Sequence, residues 1–489
     1  MRERELKRVI PAEADLPGLD DAIPGVDLGP PEQQRVEDRY LDTADLRLAR
    51  WGVTLRFRKG TGWTLKLPHP ELGGGGLDRD ELVFSGKTSA PPARVVALVS
   101  SLARSESLLP VALLSKERTA RRWNLPDGSL VAELVDDEVT ASVLVHGTDG
   151  GGVEAGFREI EVELAPGADP GLLDLVAERL PLDPDEAAVP KLVRVLGPAA
   201  MAPPDVVVPS LPADPTAADV IRAAIGSSVE RLLLQLPQVH LDQDPEGVHQ
   251  SRVALRRLRS DLRTFGALLD PGPVEALRDE LSWLGGELGR VRDADVLGQQ
   301  LRRRLAAHPE IDAGAAADVL RVLDRERKSA LAAVTGDLVG PRCLALLEAL
   351  VALAAEPPLR AEAEGPATTV LPPLVDKSWR KLRRHVRQLD DPPADEALHR
   401  TRILAKRVRY AAEAVRPAAP KQAAYFARHA AAIQTVLGDQ HDFVVAGQWL
   451  EAHAPVLRAP RPSPPVVWPR PSPTTPWRRP TTGTAITSG

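Results

Sequence analysis

Two charge patterns in this sequence have the spacing of binding chemistry, and the first is a basic run in VHQSRVALRRLR, residues 248–259. Five residues of this run and its continuation fall within roughly 80° of one another on a helix, at about 100° per residue: His249, Arg252, Arg256, Arg259 and Arg263. Arginine binds phosphate through paired hydrogen bonds. The stripe therefore predicts an anion-binding surface.

The alternative interpretation of this stripe is a solvated helix face with ion pairs inside the helix. Acidic partners are scarce, since Asp261 lies off the stripe and Glu413 is the exception in a second copy. Like charges spaced by four residues repel, which favours an external anion. Aromatic residues make up only 3% of the chain, which argues against stacking on nucleic acid bases. A flexible inorganic phosphate chain is the better fit, and the histidine lacks neighbours at metal-ligand spacing.

The second pattern is alternation of charge along predicted strands, where every other residue shares a face. Acidic pairs occur early and late, and basic pairs occur between them: Glu3 with Glu5 and Lys7, Glu161 with Glu163, Glu133 with Asp137, Arg56 with Arg58, and Lys116 with Arg118. Each pair alone is explained by a sheet face in water. Closed into a barrel, the set would line an interior where carboxylates hold Mg²⁺ or Mn²⁺ and bases hold phosphates. That combination suits phosphoryl transfer.

The composition indicates two or three folded domains in the 489 residues. Up to Val207 there are 24 Lys and Arg against 35 Asp and Glu, and after it 38 against 33, so an acidic half precedes a basic half. The charged N-terminus, the lack of a long apolar run and the single cysteine, Cys343, predict a cytoplasmic protein without a membrane partner. Cys343 is expected to be buried and inert.

Strand-like alternation dominates residues 1–197, with helices expected at Ala93–Ser105 and Gly171–Leu180. A linker is predicted at 198–215, a helical domain at 216–457 and a disordered proline-rich tail at 458–489. The helical part repeats itself: VHQSRVALRRLR from Val248 aligns with LHRTRILAKRVR from Leu398, an offset of 150. This repetition predicts two copies of one helical unit, at about 216–340 and 370–457.

The duplicated His-x-x-Arg-x-x-x-Arg-Arg-x-Arg pattern, in whose second copy Lys406 replaces an arginine, is followed by LGRVRD and LGDQHD. It resembles a CHAD domain, the conserved-histidine α-helical domain. The resemblance covers roughly Thr216–Leu457 and implies two facing helical bundles that bind inorganic polyphosphate. The residues expected to bind it are His249, Arg252, Arg256, Arg259, Arg263, Lys381, Arg384, His399, Arg402, Lys406 and Arg409.

The segments ERELK, YLDTADLRL, LRFRKG, WTLKLP, RDELVF, SKERTARRW and EIEVEL resemble, in this order, a CYTH domain of the triphosphate tunnel metalloenzymes. The resemblance implies an eight-stranded antiparallel β-barrel tunnel before the all-α domain, hence an α+β multidomain protein. By position, the implied metal ligands are Glu3, Glu5, Asp137, Glu161 and Glu163, with Asp136 an alternative to Asp137. The implied triphosphate-binding residues are Arg56, Arg58, Lys66, Glu81, Lys116, Arg118 and Lys191. Either Lys116 or Arg118 is the principal ligand, Lys7 would lie near the attacking water, and Glu81 would orient a basic neighbour or a second metal.

Taken with the charge patterns, the two resemblances imply Mg²⁺- or Mn²⁺-dependent hydrolysis of inorganic triphosphate or a related triphosphate, with polyphosphate bound by the helical domain. The expected location is the cytoplasm, in association with polyphosphate granules. A non-catalytic polyphosphate-binding protein is the first alternative. An adenylate cyclase is the second, because the CYTH family includes such enzymes.

Overall fold

The structure is a computed structural model that describes residues 5–14, 19–68, 79–87, 90–144, 154–180, 191–308 and 311–457. The predictions on Glu3 and on the proline-rich tail at 458–489 lie outside the described residues.

The N-terminal part of the chain is an antiparallel sheet. Its strands are β1 (Glu5–Ile10), β2 (Asp27–Leu28), β3 (Glu32–Asp42), β4 (Thr54–Arg58), β5 (Gly62–Pro68), β6 (Arg79–Phe84), β7 (Leu109–Asn124), β8 (Leu130–Val143) and β9 (Glu154–Leu164). Eight of them follow the order β1-β9-β8-β7-β3-β4-β5-β6, and the short β2 pairs with β7. The sheet is curled into a half-barrel. Among the described strands, β1 and β6 are its two edge strands. The predicted fold class is confirmed, with the barrel in this half-barrel form.

Short helices complete this part: α1 (Arg47–Arg50), α2 (Ala93–Ala103), α3 (Gly171–Ala177) and α4 (Lys191–Leu196). The predicted helices at 93–105 and 171–180 are thus present and end two or three residues earlier. The convex face of the sheet packs apolar side chains of β1, β8 and β9 in one core and those of β4 and β5 against α2 in another. Helix α4 packs on the opposite, concave face beside Tyr40 and Val139. The polar residues of the concave face are consequently left to line a cleft.

The C-terminal part is helical. Its helices are α5 (Ala217–Leu241), α6 (Glu246–Thr264), α7 (Pro271–Ala307), α8 (Ala313–Leu338), α9 (Pro341–Ala355), α10 (Ala367–Val370), α11 (Pro372–Arg387), α12 (Asp395–Ala414) and α13 (Pro420–Leu457). Thr216 caps α5, because its hydroxyl accepts the Asp219 N–H while the Asp219 carboxylate accepts the Thr216 N–H. The two basic repeats lie on α6 and α12, which pack against each other. No single described helix is long and apolar enough to cross a bilayer, although α8 and α9, bent by 61°, meet the length and composition test as a pair.

The two parts of the chain share one apolar core, in which α2 packs against α5. Glu348 of α9 accepts hydrogen bonds from Arg47 at 3.2 Å and Arg104 at 3.0 Å. The predicted linker contains a short 3-10 helix, Gly197–Met201, and Asp205 accepts the Trp51 indole N–H at 2.9 Å. The segment between the domains therefore packs against the structure around it. Cys343 is buried as expected, and burial raises the pKa of its thiol to about 12.

Candidate functional site

The charged residues predicted from strand alternation lie on the concave face of the sheet. Residues that face each other across antiparallel strands share a face, and the register pairs Lys7 with Glu161, Asp137 with both Glu159 and Arg118, and Asp38 with Arg58. The same face continues through Lys66, which pairs with Glu81. The structure thus brings the predicted strand residues together, with Glu3 outside its described part.

The acidic end of this face is centred on Lys7. Its Nζ lies 2.7 Å from Glu5 Oε1 and 3.0 Å from Glu161 Oε1. Burial alone would lower the pKa of Lys7, but the charges of Glu161 and Glu5 outweigh it and raise that pKa above its usual range. The pKa of Glu161 is lowered, since burial, which would raise it, is outweighed by Lys7 and Lys191. Both groups stay charged at neutral pH.

The donors at this end have the chemistry of a hard divalent cation site. Glu5 and Glu161 converge on a single cationic group, and Glu163 pairs with Glu5 across the strands. Carboxylate oxygens are the ligands that Mg²⁺ and related ions prefer. Within the described residues, no cluster of three or more His, Cys, Asp or Glu has metal-binding geometry. These carboxylates are chemically suited to bind a divalent cation. The Lys7 ammonium now lies between two of them, at a position that favours positive charge.

The centre of the concave face is a group of bases around Asp38, whose side chain is fully buried. Arg58 donates to both of its oxygens at 2.7 and 2.9 Å, Lys116 Nζ lies 2.5 Å from Oδ2, and Arg56 Nη1 lies 3.7 Å from it. Burial would raise the pKa of Asp38, but the Arg58 hydrogen bonds and the charge of Lys116 hold it well below its usual range. Burial lowers the pKa of Lys116 to about 8, with Asp38 opposing the shift.

A second buried carboxylate, Asp137, holds two further bases. Arg118 donates to both of its oxygens at 2.8 Å, and Lys191 Nζ, from α4, lies 2.6 Å from Oδ2. Lys191 also lies 3.2 Å from Glu159 Oε1. The neighbouring Asp136 lies on the convex side, where Arg158 donates to it at 2.9 and 2.7 Å. The register therefore brings Asp137, and not Asp136, to the concave face.

The far edge of the face joins Lys66 to Glu81, whose atoms Nζ and Oε2 lie 2.7 Å apart. This contact matches the expectation that Glu81 orients a basic neighbour. Strand alternation did not single out Asp38, Tyr40 or Glu159, and all three are buried on this face. In the EDRY segment, Asp38 and Tyr40 are two residues apart and so share a strand face. This spacing does not identify the face that meets the basic strands, because that depends on strand pairing.

The basic stripe of α6 divides into two regions. At its N-terminal end most bases have partners: Arg252 donates to Gly289 O at 2.8 Å and to Asp293 Oδ1 at 2.9 Å, and Arg256 donates to the Tyr410 hydroxyl at 2.5 Å. His249 is half-buried, and burial together with Arg292, Arg256 and Arg252 lowers its pKa. This histidine is therefore neutral at physiological pH, so one ring nitrogen can donate a hydrogen bond and the other can accept one.

At the C-terminal end of α6, basic side chains are close enough to basic side chains of other helices to affect each other's pKa. Burial and Arg278 lower the pKa of Arg259, while burial, Arg407 and Arg278 lower that of Arg263. Arg278 is on α7 and Arg407 is on α12, so three helices contribute to one cluster, here called the arginine cluster: Arg259, Arg263, Arg278 and Arg407. Neither Arg278 nor Arg407 had been predicted as a ligand. Because these like charges repel one another, an anion bound among them would be stabilised.

The second repeat has a different balance of charge. Glu413 accepts hydrogen bonds from Arg409 of its own helix at 2.8 Å and from Arg257 of α6 at 2.6 Å. On α11, the predicted ligands Lys381 and Arg384 are exposed, because Leu382 and Val375 face the core. The remaining predicted residues, His399, Arg402 and Lys406, lie on α12.

Comparison with known proteins agrees with this geometry. The sequence matches the CYTH domain over residues 1–185 and the CHAD domain over residues 223–451. Two uncharacterized proteins of Mycobacterium tuberculosis, MT2285 of strain CDC 1551 / Oshkosh and Rv2226 of strain ATCC 25618 / H37Rv, are each 34% identical over 450 residues, which is 85% of this chain and 82% of theirs. The chain belongs to the family of proteins that carry a CYTH domain followed by a CHAD domain.

Among solved structures, the CHAD domain from the plant Ricinus communis is 30% identical, with a TM-score of 0.44, and the match covers 52% of this chain and 86% of that one. PptA from Streptomyces chartreusis is 24% identical, with a TM-score of 0.43, and the match covers 51% of this chain and 89% of that one. By its two family matches, the protein joins a domain of the triphosphate tunnel metalloenzyme type to a domain of the polyphosphate-binding type.

Proposed function

We propose that this protein hydrolyses inorganic triphosphate, or a related triphosphate, on the concave face of its CYTH domain, and that its CHAD domain binds polyphosphate. The observation that carries the proposal is the order of charges along that face. Carboxylates surround Lys7 at one end, and bases held by Asp137 and Asp38 follow. A chain of condensed phosphates is negatively charged along its whole length. Such a surface can neutralise it with a divalent cation at the acidic end and with basic side chains along the rest.

The acidic end is the place for a divalent cation. Glu5, Glu161 and Glu163 would hold Mg²⁺ or Mn²⁺, joined by the predicted ligand Glu3. When bound, the ion neutralises phosphate oxygens and lowers the pKa of bound water. Glu161 is suited to this role because its depressed pKa keeps it ionised.

The basic centre would position the phosphate chain. Arg118 uses Nε and Nη2 for Asp137, and Arg58 uses the same two nitrogens for Asp38. Each guanidinium carries five N–H donors, so Nη1 is left to meet a phosphate oxygen. Arg56 Nε is buried without a hydrogen-bond partner among the described residues, and a ligand oxygen would satisfy it. Positioning and charge neutralisation are the main demands of phosphoryl transfer.

A panel of substrates and metals tests the enzymatic proposal. Purified protein is incubated with tripolyphosphate, ATP or long-chain polyphosphate, with Mg²⁺, Mn²⁺ or EDTA, and released phosphate is measured. We expect metal-dependent release from tripolyphosphate and a loss of at least about 100-fold in E161Q, a size typical of removing one electrostatic group from such a site. D136N is the control, because Asp136 lies on the convex face.

The same panel separates the alternatives. Tight polyphosphate binding with no turnover of any substrate would instead indicate a non-catalytic binding protein. Formation of cyclic AMP from ATP would indicate a cyclase. Phosphate release that persists unchanged in E161Q would contradict the assignment of the acidic end.

Polyphosphate binding is tested at the arginine cluster. The double variant R263E/R407E replaces two exposed bases with acids, and we expect it to lose polyphosphate binding while retaining cleavage of tripolyphosphate. Affinity is measured by fluorescence anisotropy at several salt concentrations, where loss of two charge contacts should also flatten the salt dependence. R325E/K328E, on the exposed side of α8, is the matched control. Equal loss of binding and cleavage in R263E/R407E would contradict the division of labour.

A further inference from the structure

Asp38 is a fully buried carboxylate around which three basic side chains of the concave face gather. Its side chain has no exposed surface, and it is paired with Arg58 and Lys116 at 2.5–2.9 Å. Arg56 lies 3.7 Å away and pairs with Tyr40 across the strands. The three bases come from β4 and β7, which lie on either side of β3. Asp38, on the strand between them, therefore contacts bases from both neighbouring strands.

Burial of a carboxylate is expensive unless charged partners surround it. The partners here would themselves be strained without it, because three cations on adjacent strands repel one another. An apolar residue at this position would serve a purely structural core equally well. A buried anion that keeps cations close together and fixes their direction is what a phosphate-binding surface requires before its ligand arrives.

The contacts also leave the two arginines able to bind. Arg58, whose side chain is 16% exposed, presents only two of its three nitrogens to Asp38, whereas the buried Lys116 ammonium would act on a ligand through its charge. Asp137 holds Arg118 in the same bidentate way on the next pair of strands. The buried carboxylates of Asp38 and Asp137 thus each fix the orientation of one guanidinium group on the concave face.

We propose that Asp38 is a positioning residue that holds Arg56, Arg58 and Lys116 in the arrangement that binds the phosphate chain. This inference rests on the proposed function of the CYTH domain. Asp38 does not itself touch the substrate, which would be repelled by its charge. It acts through the three bases.

The experiment compares D38N with D136N. Both substitutions remove the charge of an aspartate that accepts a bidentate pair from an arginine, but Asp136 and Arg158 lie on the convex face. Tripolyphosphate binding is measured by calorimetry in EDTA, and steady-state kinetics are measured with Mg²⁺. We expect D38N to weaken binding and raise KM by about 10-fold or more, with a smaller change in kcat. D136N should leave binding and KM unchanged.

A pH profile of binding distinguishes positioning from a general loss of structure. Lys116 faces Asp38 on β3, Arg58 on β4 and Lys191 on α4, and Asp38 is the anion that opposes the lowering of its pKa. Without Asp38 that pKa falls further, so the ammonium is lost at lower pH. The decline of tripolyphosphate affinity at alkaline pH should move to lower pH by about one unit in D38N and stay in place in D136N.

Further outcomes keep the proposal testable. If D38N does not fold, judged by circular dichroism, D38E serves instead: it retains the charge, displaces the carboxylate, and should still weaken binding. Wild-type-like affinity, KM and pH profile in D38N or D38E would overturn the role of Asp38 alone. Failure of the wild-type protein to bind tripolyphosphate would overturn the proposed function and this role with it.

Discussion

The surroundings of Asp261 disfavour the ionised form of its carboxyl group. Its side chain is fully buried in α6, Arg257 donates to Oδ2 at 3.2 Å, and Oδ1 has no hydrogen-bond partner among the described residues. Burial raises the pKa of Asp261 to about 7, against a weaker opposing effect of Arg257. Since the unfolded chain loses this proton near pH 4, the folded protein binds more protons between about pH 4 and pH 7.

The first prediction follows from that difference. Between about pH 4 and 7 the contribution of Asp261 to the free energy of unfolding falls as pH rises, by about 1.4 kcal/mol for each unit of pKa difference. D261N removes the titration, so it should raise the melting temperature relative to wild type more at pH 8 than at pH 5. Thermal unfolding followed by circular dichroism at both pH values measures this. A relative change that is the same at both pH values would contradict it.

The concave-face residues show what a sequence can predict at this scale. Alternation identified Arg56 with Arg58 and Glu161 with Glu163, because residues two apart on a strand share a face. It could not choose between Asp136 and Asp137, which are adjacent and alternate in face. The choice depended on register, since only Asp137 lies opposite Arg118. Asp38 was missed for the same reason, as its partners are on two other strands.

Among the helices, α6 and α12 carry the repeated basic pattern, but the two copies are not equivalent. Arg263 of α6 corresponds to Glu413 of α12 at the offset of 150. Arg263 joins the arginine cluster, whereas Glu413 holds Arg257 and Arg409. The hydrogen bond from Arg409 to Glu413 raises the pKa of that arginine. The second copy therefore has an acid, paired with bases of both helices, at the position where the first copy has Arg263.

The second prediction is that E413Q binds polyphosphate more tightly. Releasing a partly exposed ion pair is worth about 0.5–1 kcal/mol, or about 2- to 5-fold in Kd. Fluorescence anisotropy with labelled polyphosphate measures the change, and E396Q, at the exposed N-terminal end of α12, is the control. Unchanged or weaker binding by folded E413Q would show that Glu413 only supports the contact between α6 and α12.

Sequence periodicity predicted the long helices and their basic faces because a helix repeats every 3.6 residues. It did not reveal how α4 is used. This helix has only six residues, and it brings Lys191 to carboxylates of β8 and β9 on a sheet to which it does not belong. Lys191 was assigned from family resemblance alone, since packing between distant segments leaves no periodic signal.

The whole molecule is held together by polar contacts as well as by the apolar core. Glu348 of α9 accepts hydrogen bonds from Arg47, Arg104 and Ser105, all in the CYTH domain. Arg104 also reaches Asp205 of the segment between the domains. In addition, the Ser101 hydroxyl donates to Leu233 O of α5 at 2.9 Å. These contacts connect the two domains directly.

The third prediction is that the two domains of the wild-type protein unfold together. We expect one calorimetric transition, and E348A should lower its temperature or split it, because the mutation leaves buried Arg104 with fewer acceptors, at a cost of about 1–3 kcal/mol. E356Q, at the exposed C-terminal end of the same helix, is the control. Two separate transitions in the wild-type protein would show that the domains are energetically independent.

The buried counterions of the concave face have a consequence for how ligands arrive. Because Asp38, Asp137, Glu161 and Glu5 offset the bases beside them, fields of opposite sign largely cancel outside the cleft, and salt screens the remainder within about 8–10 Å. Such a surface attracts polyanions only weakly at long range. It would select them by shape once they are in contact with it. Under the proposed function, recruitment of polyphosphate from solution falls to the helical domain, where the arginine cluster brings four positive charges together.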